Sequence, residues 1–503
     1  MHALIFADNK YQSDRIGILR APGAHRIATL LRSRNIQTEV IDFYLDWSLD
    51  ELKKIIDLQL SKPTLFVGFS CSLMFDGVNG FNHIRDYIKL KNPSVAIIVG
   101  GFHTTQKGFE GADWYIEGYG EYAILSLVEH LLDRSKLIKF ELDEQGRRVI
   151  YTKEQYPVNS LTSLNTEYQF SDFIQPNETL SIETARGCVF KCKFCSFQLL
   201  GKSKVDYLRD VEEIRNEFII NYQRYSTVKY IVTEDTFNDT DDKVNMFYDI
   251  VKSLPFELKF MGYVRADLLA SKPGNLRKLI ECGFTSMHFG IETFNSAAGK
   301  IVGKGMDANK LKQALIKFKT DYPNIYTNGT FIIGLPGESP DDIRETAQWI
   351  IDSKTLDFWT FNPLMIPKRN KLIYSSEFTN DYLLYGYNKM STVDLAQYPP
   401  DNNNLLFANK ISSFIIDWKN KYFNSYTAAK LATELNQLAN PYKKIDAWTT
   451  FAISSLGYDL IATQKHTYSG INPLNQLEIK EKTKQFIENY KQNKLKHLTK
   501  ELY

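Results

Sequence analysis

The chain has 503 residues, of which 43% are hydrophobic and 24% charged, proportions typical of a soluble globular protein. Its 61 basic and 59 acidic side chains nearly cancel, so no overall field indicates a nucleic-acid partner. No apolar run approaches the roughly 18 residues of a membrane span, and the first residues lack the pattern of a secretory signal. We therefore expect a cytoplasmic protein.

A chain of this length is expected to form two or three domains. In the first 135 residues, short apolar runs alternate with helical patterns, which is typical of a parallel sheet covered by helices on both faces. The candidate strands are His2–Ala7, Thr38–Asp42, Leu65–Cys71, Val95–Val99 and Trp114–Glu117. The helical patterns include His25–Arg34 and Leu49–Gln59. The sequence predicts a Rossmann-like α/β domain over residues 1–135.

Glycines follow the later strands of this domain. Gly100 and Gly101 follow one strand, and the run Gly118-Tyr119-Gly120-Glu121 follows the next. In open α/β sheets, ligands bind at the carboxyl ends of the strands, where glycine lets them approach the backbone. Because no complete G-x-G-x-x-G fingerprint is present, these glycines fit tight turns as well as a cofactor site.

The remaining chain divides into three parts. Residues 136–178 are polar with little periodicity and are predicted to be a linker or irregular. From residue 179, strand and helix patterns alternate at a spacing of about 30 residues, the size of a βα unit. The candidate strands are Leu180–Thr184, Lys229–Thr233, Leu258–Val264, Ser286–Glu292, Thr327–Gly334 and Phe358–Leu364. Six such units predict a partial or complete parallel barrel over residues 179–368, with its active site at the carboxyl ends of the strands. Residues 369–503 change to helical patterns and are predicted to form a helical C-terminal domain.

Three of the five cysteines lie within eight residues, in the loop after the first barrel strand. Cys188, Cys192 and Cys195 have the spacing C-x3-C-x2-C, and three such thiolates can ligate three irons of a [4Fe–4S] cubane. The fourth iron is then open, as a catalytic metal site requires. Phe194 supplies an apolar flank beside the cluster. A structural zinc site would need a fourth ligand, and no Cys or His close in sequence supplies one.

With this loop in this position, residues 180–367 resemble the radical S-adenosylmethionine (SAM) superfamily. The resemblance implies that the amino and carboxylate groups of SAM bind the open iron. One-electron reduction then cleaves SAM to methionine and a 5′-deoxyadenosyl radical. The resemblance also implies contacts at later strand ends: Glu234 to the SAM amino group, Arg265 to its carboxylate, Glu292 to the ribose and Ile333 to the adenine.

The first 130 residues resemble the cobalamin-binding domain that precedes many radical SAM barrels. The matching segments are Gly23–Ala28, Val67–Ser70, Val99–His103 and Glu117–Glu121. The implied cobalamin contacts are Gly68, Ser70, Gly100, Gly101, Gly118, Gly120 and Glu121. The D-x-H-x-x-G motif, whose histidine ligates cobalt, has no counterpart, because Asp8-Asn9-Lys10-Tyr11 follows the first strand. Cobalamin would then be held without that histidine, as in radical SAM methylases of the class B type; alternatively, the domain has become structural. His103 would lie over the corrin or bond within its loop.

The function expected from these resemblances is cobalamin-dependent methylation of an unactivated carbon. The substrate would be a small molecule or a peptide, and the electron would come from a one-electron reductant such as a flavodoxin or ferredoxin. One alternative is radical rearrangement, cyclisation or oxidation, with the first domain lacking or repurposing cobalamin. The other is a non-catalytic iron–sulfur protein for electron transfer or sensing.

Overall fold

The computed structural model describes residues 1–10, 15–71, 78–102, 104, 108–197, 207–305, 307–367, 376–392, 415–466 and 473–500. His103 lies outside the described residues. The described chain forms a seven-stranded sheet, a six-stranded sheet and a small three-stranded sheet. None of its helices is long and apolar enough to cross a membrane.

The first domain is a mostly parallel sheet with helices on both faces. Its strands are β1 (His2–Ala7), β2 (Gln37–Ile41), β3 (Thr64–Ser70), β4 (Ala96–Gly101), β5 (Trp114–Glu117), β6 (Glu141–Leu142) and β7 (Arg148–Tyr151), in the order β2-β1-β3-β4-β5-β7-β6. The helices α1 (Pro22–Arg32) and α4 (Glu121–Leu132) pack on one face, and α2 (Leu49–Leu60) and α3 (Val78–Lys91) pack on the other. The central strands β1 and β4 are largely apolar because both of their faces are buried.

The segment 136–178, predicted to be irregular, contributes to this first sheet. Strand β7 pairs in parallel with β5, β6 pairs antiparallel with β7, and the short helix α5 (Thr152–Gln155) follows. The prediction missed these strands because four-residue and two-residue runs carry almost no periodicity. Their hydrogen bonds come instead from neighbouring strands, β5 for β7 and β7 for β6.

The second domain is an open parallel barrel of six strands. They are β8 (Leu180–Ile182), β9 (Lys229–Val232), β10 (Lys259–Arg265), β11 (Phe284–Glu292), β12 (Tyr326–Ile333) and β13 (Phe358–Pro363), paired in sequence order. The helices are α6 (Val211–Tyr225), α7 (Asp241–Lys252), α8 (Leu268–Ser271), α9 (Pro273–Glu281), α10 (Ser296–Val302), α11 (Ala308–Asp321) and α12 (Pro340–Ser353). The predicted fold class, a Rossmann-like domain followed by a partial (βα)6 barrel, is confirmed.

The C-terminal part is less uniform than the helical domain that was predicted. It contains the antiparallel strands β14 (Ile366–Pro367), β15 (Lys389–Thr392) and β16 (Ile415–Lys419). Its helices are α13 (Glu377–Asn380), α14 (Ser425–Ala439), α15 (Ala447–Ser454), α16 (Leu460–Thr463) and α17 (Pro473–Lys500). The amino-acid composition of the C-terminal residues could not show that the helices and strands they form pack on both preceding domains.

Two C-terminal helices hold the domains together. Phe451 of α15 packs against Ile231, Met261 and Tyr326 and so closes the barrel interior toward the amino ends of its strands. Helix α17 packs on the first domain, where the hydroxyl of Tyr490 accepts a 2.9 Å hydrogen bond from the backbone of Asp42. The carboxyl ends of the strands are thereby left as the face available for a site.

Candidate active site

The three predicted cluster cysteines lie together in the loop after β8. Gly187 takes a left-handed φ of +93° immediately before Cys188, a turn that glycine makes without strain. The backbone N–H of Cys188 donates to the carbonyl of Phe197 at 3.0 Å, and that of Cys195 donates to the carbonyl of Cys192 at 3.0 Å. These bonds fold the loop back on itself, and Cys192 and Cys188 lie near enough to Cys195 to add to the effect of burial in raising its pKa.

The thiols in this loop are largely shielded from water. Cys188 and Cys192 are buried and Cys195 is half-buried. Burial raises the pKa of Cys195 to about 12, and it also raises the pKa of Cys188. A bound metal centre would displace these protons, because the thiolate is the ligand. Among the described residues, no group of three or more Cys, His, Asp or Glu side chains is placed to hold a single metal ion. A cubane instead places each thiolate on a different iron.

Glu234 does not face the open side of the site, contrary to its predicted role toward the SAM amino group. It is 2% exposed, and its Oε1 accepts hydrogen bonds from the backbone of Thr184 at 2.8 Å and Ala185 at 3.1 Å. Its Oε2 lies 2.6 Å from the ammonium of Lys243. Glu234 therefore anchors the backbone at the start of the cysteine loop from the buried side.

Its neighbour Asp235 takes the position expected of a cofactor contact. Thr233 and Asp235 flank Glu234 just beyond the end of β9, and Thr233 is exposed whereas Glu234 is buried. Asp235 is half-buried, and burial raises its pKa to about 7, with the charge of Glu183 adding to the shift. Its charge in turn contributes to the raised pKa of Cys195. The prediction of Glu234 had located this strand end, but the sequence could not show which of the two adjacent acidic residues is buried.

Arg265 lies beside the cysteine loop. Its Nη1 donates to the Sγ of Cys192 at 3.2 Å, while its Nε and Nη2 donate to the two carboxylate oxygens of Asp267 at 2.9 and 2.6 Å. Its guanidinium carbon lies 3.7 Å from the ring centre of Phe190. The predicted contact to the SAM carboxylate would require this guanidinium to leave partners that it already holds.

The remaining predicted SAM contacts differ in their placement. Glu292 ends β11 with a left-handed φ of 69° and pairs with Lys304 at 3.2 Å. Ile333 is fully buried in the core of the second domain, and Ile332, one residue earlier on β12, is half-buried against the same core. Phe194 packs against the same core while remaining half-buried.

A buried carboxyl group, Glu338, lies after β12 next to Thr293. It accepts a hydrogen bond from the Thr293 hydroxyl, and its Oε2 has no hydrogen-bond partner among the described residues. Burial raises its pKa to about 8. The folded protein therefore keeps this carboxyl protonated at neutral pH, whereas the unfolded chain ionises it at its ordinary pKa.

We expect Glu338→Gln to make the protein more stable at pH 7.5 by about 1–3 kcal/mol, with little effect at pH 5. The raised pKa means that Glu338 supports folding below its unfolded pKa, and this support is lost as pH rises through its folded pKa. An uncharged amide removes that dependence. The Tm of parent and variant at pH 5, 6.5 and 8 would measure it; parallel Tm curves would contradict the assigned ionisation.

Between the first domain and the barrel lies a cavity of about 280 Å³. Its walls include all of the predicted cobalamin contacts, namely Gly68, Ser70, Gly100, Gly101, Gly118, Gly120 and Glu121. It runs from an apolar slot, between the sheet and helices α1 and α4, to Thr233 at the end of β9. The structure thus brings the glycine turns of the first sheet to the same face as the barrel site.

An ionic network forms one wall of this cavity. Arg186, two residues before Cys188, pairs with Glu121 at 2.8 Å and with Glu183 at 2.9 Å, and its guanidinium stacks 3.8 Å from the Tyr119 ring centre. Burial alone would raise the pKa of Glu121, but Arg186 and Arg26 outweigh it and lower the pKa. Glu121, predicted to contact a cofactor, therefore joins the first domain to the cysteine loop through its side chain. The sequence analysis did not single out Arg186. The feature that could have identified it is a charged residue two positions before Cys188.

Comparison with known protein families agrees with the fold and the cysteine loop. Residues 182–350 match the profile of the radical SAM superfamily. The chain therefore carries a radical SAM domain, and the prediction made from the cysteine loop and strand motifs is confirmed.

Individual relatives are distant. An uncharacterized methyltransferase of Pyrococcus horikoshii is 22% identical over 391 residues, which are 74% of this chain and 82% of that protein. The radical SAM methyltransferase TsrM from Kitasatospora setae, solved with cobalamin and a [4Fe–4S] cluster, superposes with a TM-score of 0.63 at 14% identity, covering 96% of this chain and 99% of TsrM. The cobalamin-dependent SAM radical enzyme OxsB superposes with a TM-score of 0.57 at 15% identity, covering 97% of this chain and 71% of OxsB. The full-length arrangement of domains is thus shared with these structures.

Proposed function

We propose that this protein is a cobalamin-dependent radical SAM methylase that transfers a methyl group to an unactivated carbon of a small-molecule or peptide substrate. One observation carries the proposal. The cavity lined by the glycine turns of the first sheet opens onto Thr233 and Arg186, beside the cysteine loop. A cofactor held by the first domain would therefore face the SAM site directly. The cobalamin-bound state of TsrM, which has the same fold, supports the proposal.

The residues around the cavity fit cobalamin. A Cβ added to Gly100 would meet no atom within 4 Å, so this strand end leaves open the space that a side chain would otherwise fill. The slot behind it is walled by apolar residues, including Ile5, Phe66 and Ile98. Protein interiors are normally close-packed, so an unfilled apolar slot between a sheet and its helices indicates room for a ligand.

Among the described residues that directly follow β1, Asp8, Asn9 and Lys10, there is no histidine. Asp8, the first of these residues, pairs with Arg15 at 2.6 Å and accepts a hydrogen bond from the backbone of Leu45 at 2.9 Å. It thus stabilises the loop itself. Cobalamin in this cavity would be held by the fit of the cavity walls around it and by contacts to the backbone at the glycines.

The cysteine loop fits a [4Fe–4S] cluster. Cys188, Cys192 and Cys195 would ligate three irons, with Asp235 near the open side. When bound, the cluster supplies the electron, received from a reductant such as a flavodoxin or ferredoxin, that cleaves SAM to a hydrogen-abstracting radical, and cobalamin supplies the methyl group. The chain's own residues position these groups: Glu234 and Asp239 anchor the loop, and the burial of Cys188 and Cys192 restricts water.

We expect Gly100→Val to reduce retained corrin at least tenfold. The added side chain enters the open space at the end of β4, and a β-branched residue suits a strand. The protein would be loaded anaerobically with hydroxocobalamin and desalted, and corrin per chain would be read from its absorption. Iron content, which reports the cluster site, should stay at the parental value.

The matched control is Gly274→Val, on α9, where an added Cβ also meets nothing within 4 Å. It should retain corrin like the parent. If the parent itself holds no corrin while its iron and SAM cleavage are intact, the methylase proposal fails, and radical rearrangement, cyclisation or oxidation replaces it. If Gly100→Val binds corrin normally, cobalamin lies elsewhere.

A further inference from the structure

The side chain of Arg265 is fixed against the cysteine loop from several directions. Asn238 holds its backbone, accepting from its N–H at 2.7 Å and donating to its carbonyl at 3.2 Å. Asp267 holds one edge of the guanidinium, and Phe190 covers its face. Arg265 is 4% exposed and Cys192 is 7% exposed, so the 3.2 Å contact between Nη1 and Sγ is shielded from water.

This arrangement leaves Arg265 poorly suited to bind a second carboxylate. A guanidinium has five N–H groups. Two of those in Arg265 bond to Asp267, a third bonds to Cys192, and a fourth is directed at the carbonyl of Gly303 at 3.5 Å. Bidentate binding of the SAM carboxylate needs two free N–H groups on one edge. No such pair remains.

We propose that Arg265 is a positioning residue that raises the reduction potential of the iron–sulfur cluster through its hydrogen bond to Cys192. The inference rests on the proposed cluster site. Hydrogen bonds to cluster sulfurs and the net charge around the cluster set its potential. A donor with positive charge stabilises the cysteine sulfur more strongly once the cluster has gained an electron, so it favours the reduced state. Asp267 keeps the guanidinium in the orientation that makes this bond.

The test is a redox titration of the anaerobically reconstituted protein without SAM, followed by electron paramagnetic resonance. At the parental midpoint potential, half of the parent clusters are reduced. In Arg265→Gln, we expect the ratio of reduced to oxidised cluster to fall about tenfold, equivalent to a midpoint about 59 mV lower for one electron. Arg265→Lys keeps the charge but cannot bond to Asp267 and Cys192 together, so its midpoint should lie between those of parent and Arg265→Gln.

Iron content separates the possible failures. If the parent binds no iron, the proposed cluster site fails before Arg265 is tested. If both variants hold parental iron and titrate at the parental potential, the tuning role is overturned. If they titrate normally but lose SAM binding by equilibrium dialysis, Arg265 binds the SAM carboxylate instead.

Arg224→Gln is the matched control. Arg224 also pairs with a carboxylate, Glu167 at 2.8 Å, but it lies at the C-terminal end of α6, at the far end of the barrel. The midpoint potential of this variant should equal that of the parent.

Discussion

Replacing Cys192 with alanine is expected to reduce the iron of the reconstituted protein from about four atoms per chain to near zero. Cys192 is the middle cysteine of the loop, and its carbonyl accepts the hydrogen bond that orients Cys195. Two remaining thiolates would leave two irons of a cubane without protein ligands. Anaerobic reconstitution followed by iron analysis and absorption near 400 nm measures the loss. Release of 5′-deoxyadenosine from SAM under a strong reductant should disappear with the iron.

Cys282→Ala is the matched control for this experiment. Cys282 is also buried, but it lies in the barrel core after α9, away from the loop. It should hold parental iron and release 5′-deoxyadenosine at the parental rate. If Cys192→Ala kept the parental iron content, the assignment of a cluster to these cysteines would be wrong. A parent with four irons that never releases 5′-deoxyadenosine would favour the electron-transfer or sensor alternative.

The sequence was a reliable guide where a pattern is local. Strand β1 has the predicted bounds, because an apolar run flanked by polar residues is decided by neighbouring residues. A capped amphipathic helix such as α12 is local in the same sense. Ser339 caps α12 with its side chain on the backbone of Asp342. The cysteine loop was found for the same reason, since its three ligands lie within one short segment.

Side-chain direction at the strand ends could not be predicted. A strand alternates strictly, but the sequence does not show where alternation stops, so it did not show that Glu234 and Ile333 are buried. The buried partner of Glu234, Lys243, lies nine residues later on α7 and carries no signal of burial in the sequence. The placement of Arg265 against Cys192 likewise depends on the packing of two separate strand ends.

Long-range packing was the other limit. The helical patterns of residues 369–503 predicted helices but not the surface that α17 covers, which lies on the first domain, more than 400 residues earlier in the chain. Glu121 was assigned to a cofactor because the glycines around it line a ligand site. Its ion pair with Arg186 joins two domains and depends on how they pack.

Lys243→Met is expected to destabilise the barrel by about 3–5 kcal/mol, because it leaves two buried carboxylates without their counter-ion. The ammonium of Lys243 is fully buried, 2.6 Å from Glu234 and 3.1 Å from Asp239, and donates to the carbonyl of Thr236 at 2.6 Å. Burial alone would lower the pKa of Lys243, but Glu234 and Asp239 raise it, so the lysine remains charged. A fall in Tm on the order of 10 °C would report the loss.

The same substitution should also weaken the cluster site, because each carboxylate that Lys243 neutralises holds the cysteine loop. Glu234 accepts from the backbone of Ala185, and Asp239 accepts from that of Val189 at 3.3 Å. Lys272→Met is the matched control: Lys272 pairs with Asp241 at 2.7 Å on the surface, where such a pair contributes about 0–1 kcal/mol. Equal Tm values for the two variants would show that Glu234 and Asp239 do not depend on Lys243. If Lys243→Met had a lower Tm but kept its full iron content, Lys243 would contribute to the stability of the fold and not to the cluster site. The loop would then be anchored by its backbone hydrogen bonds.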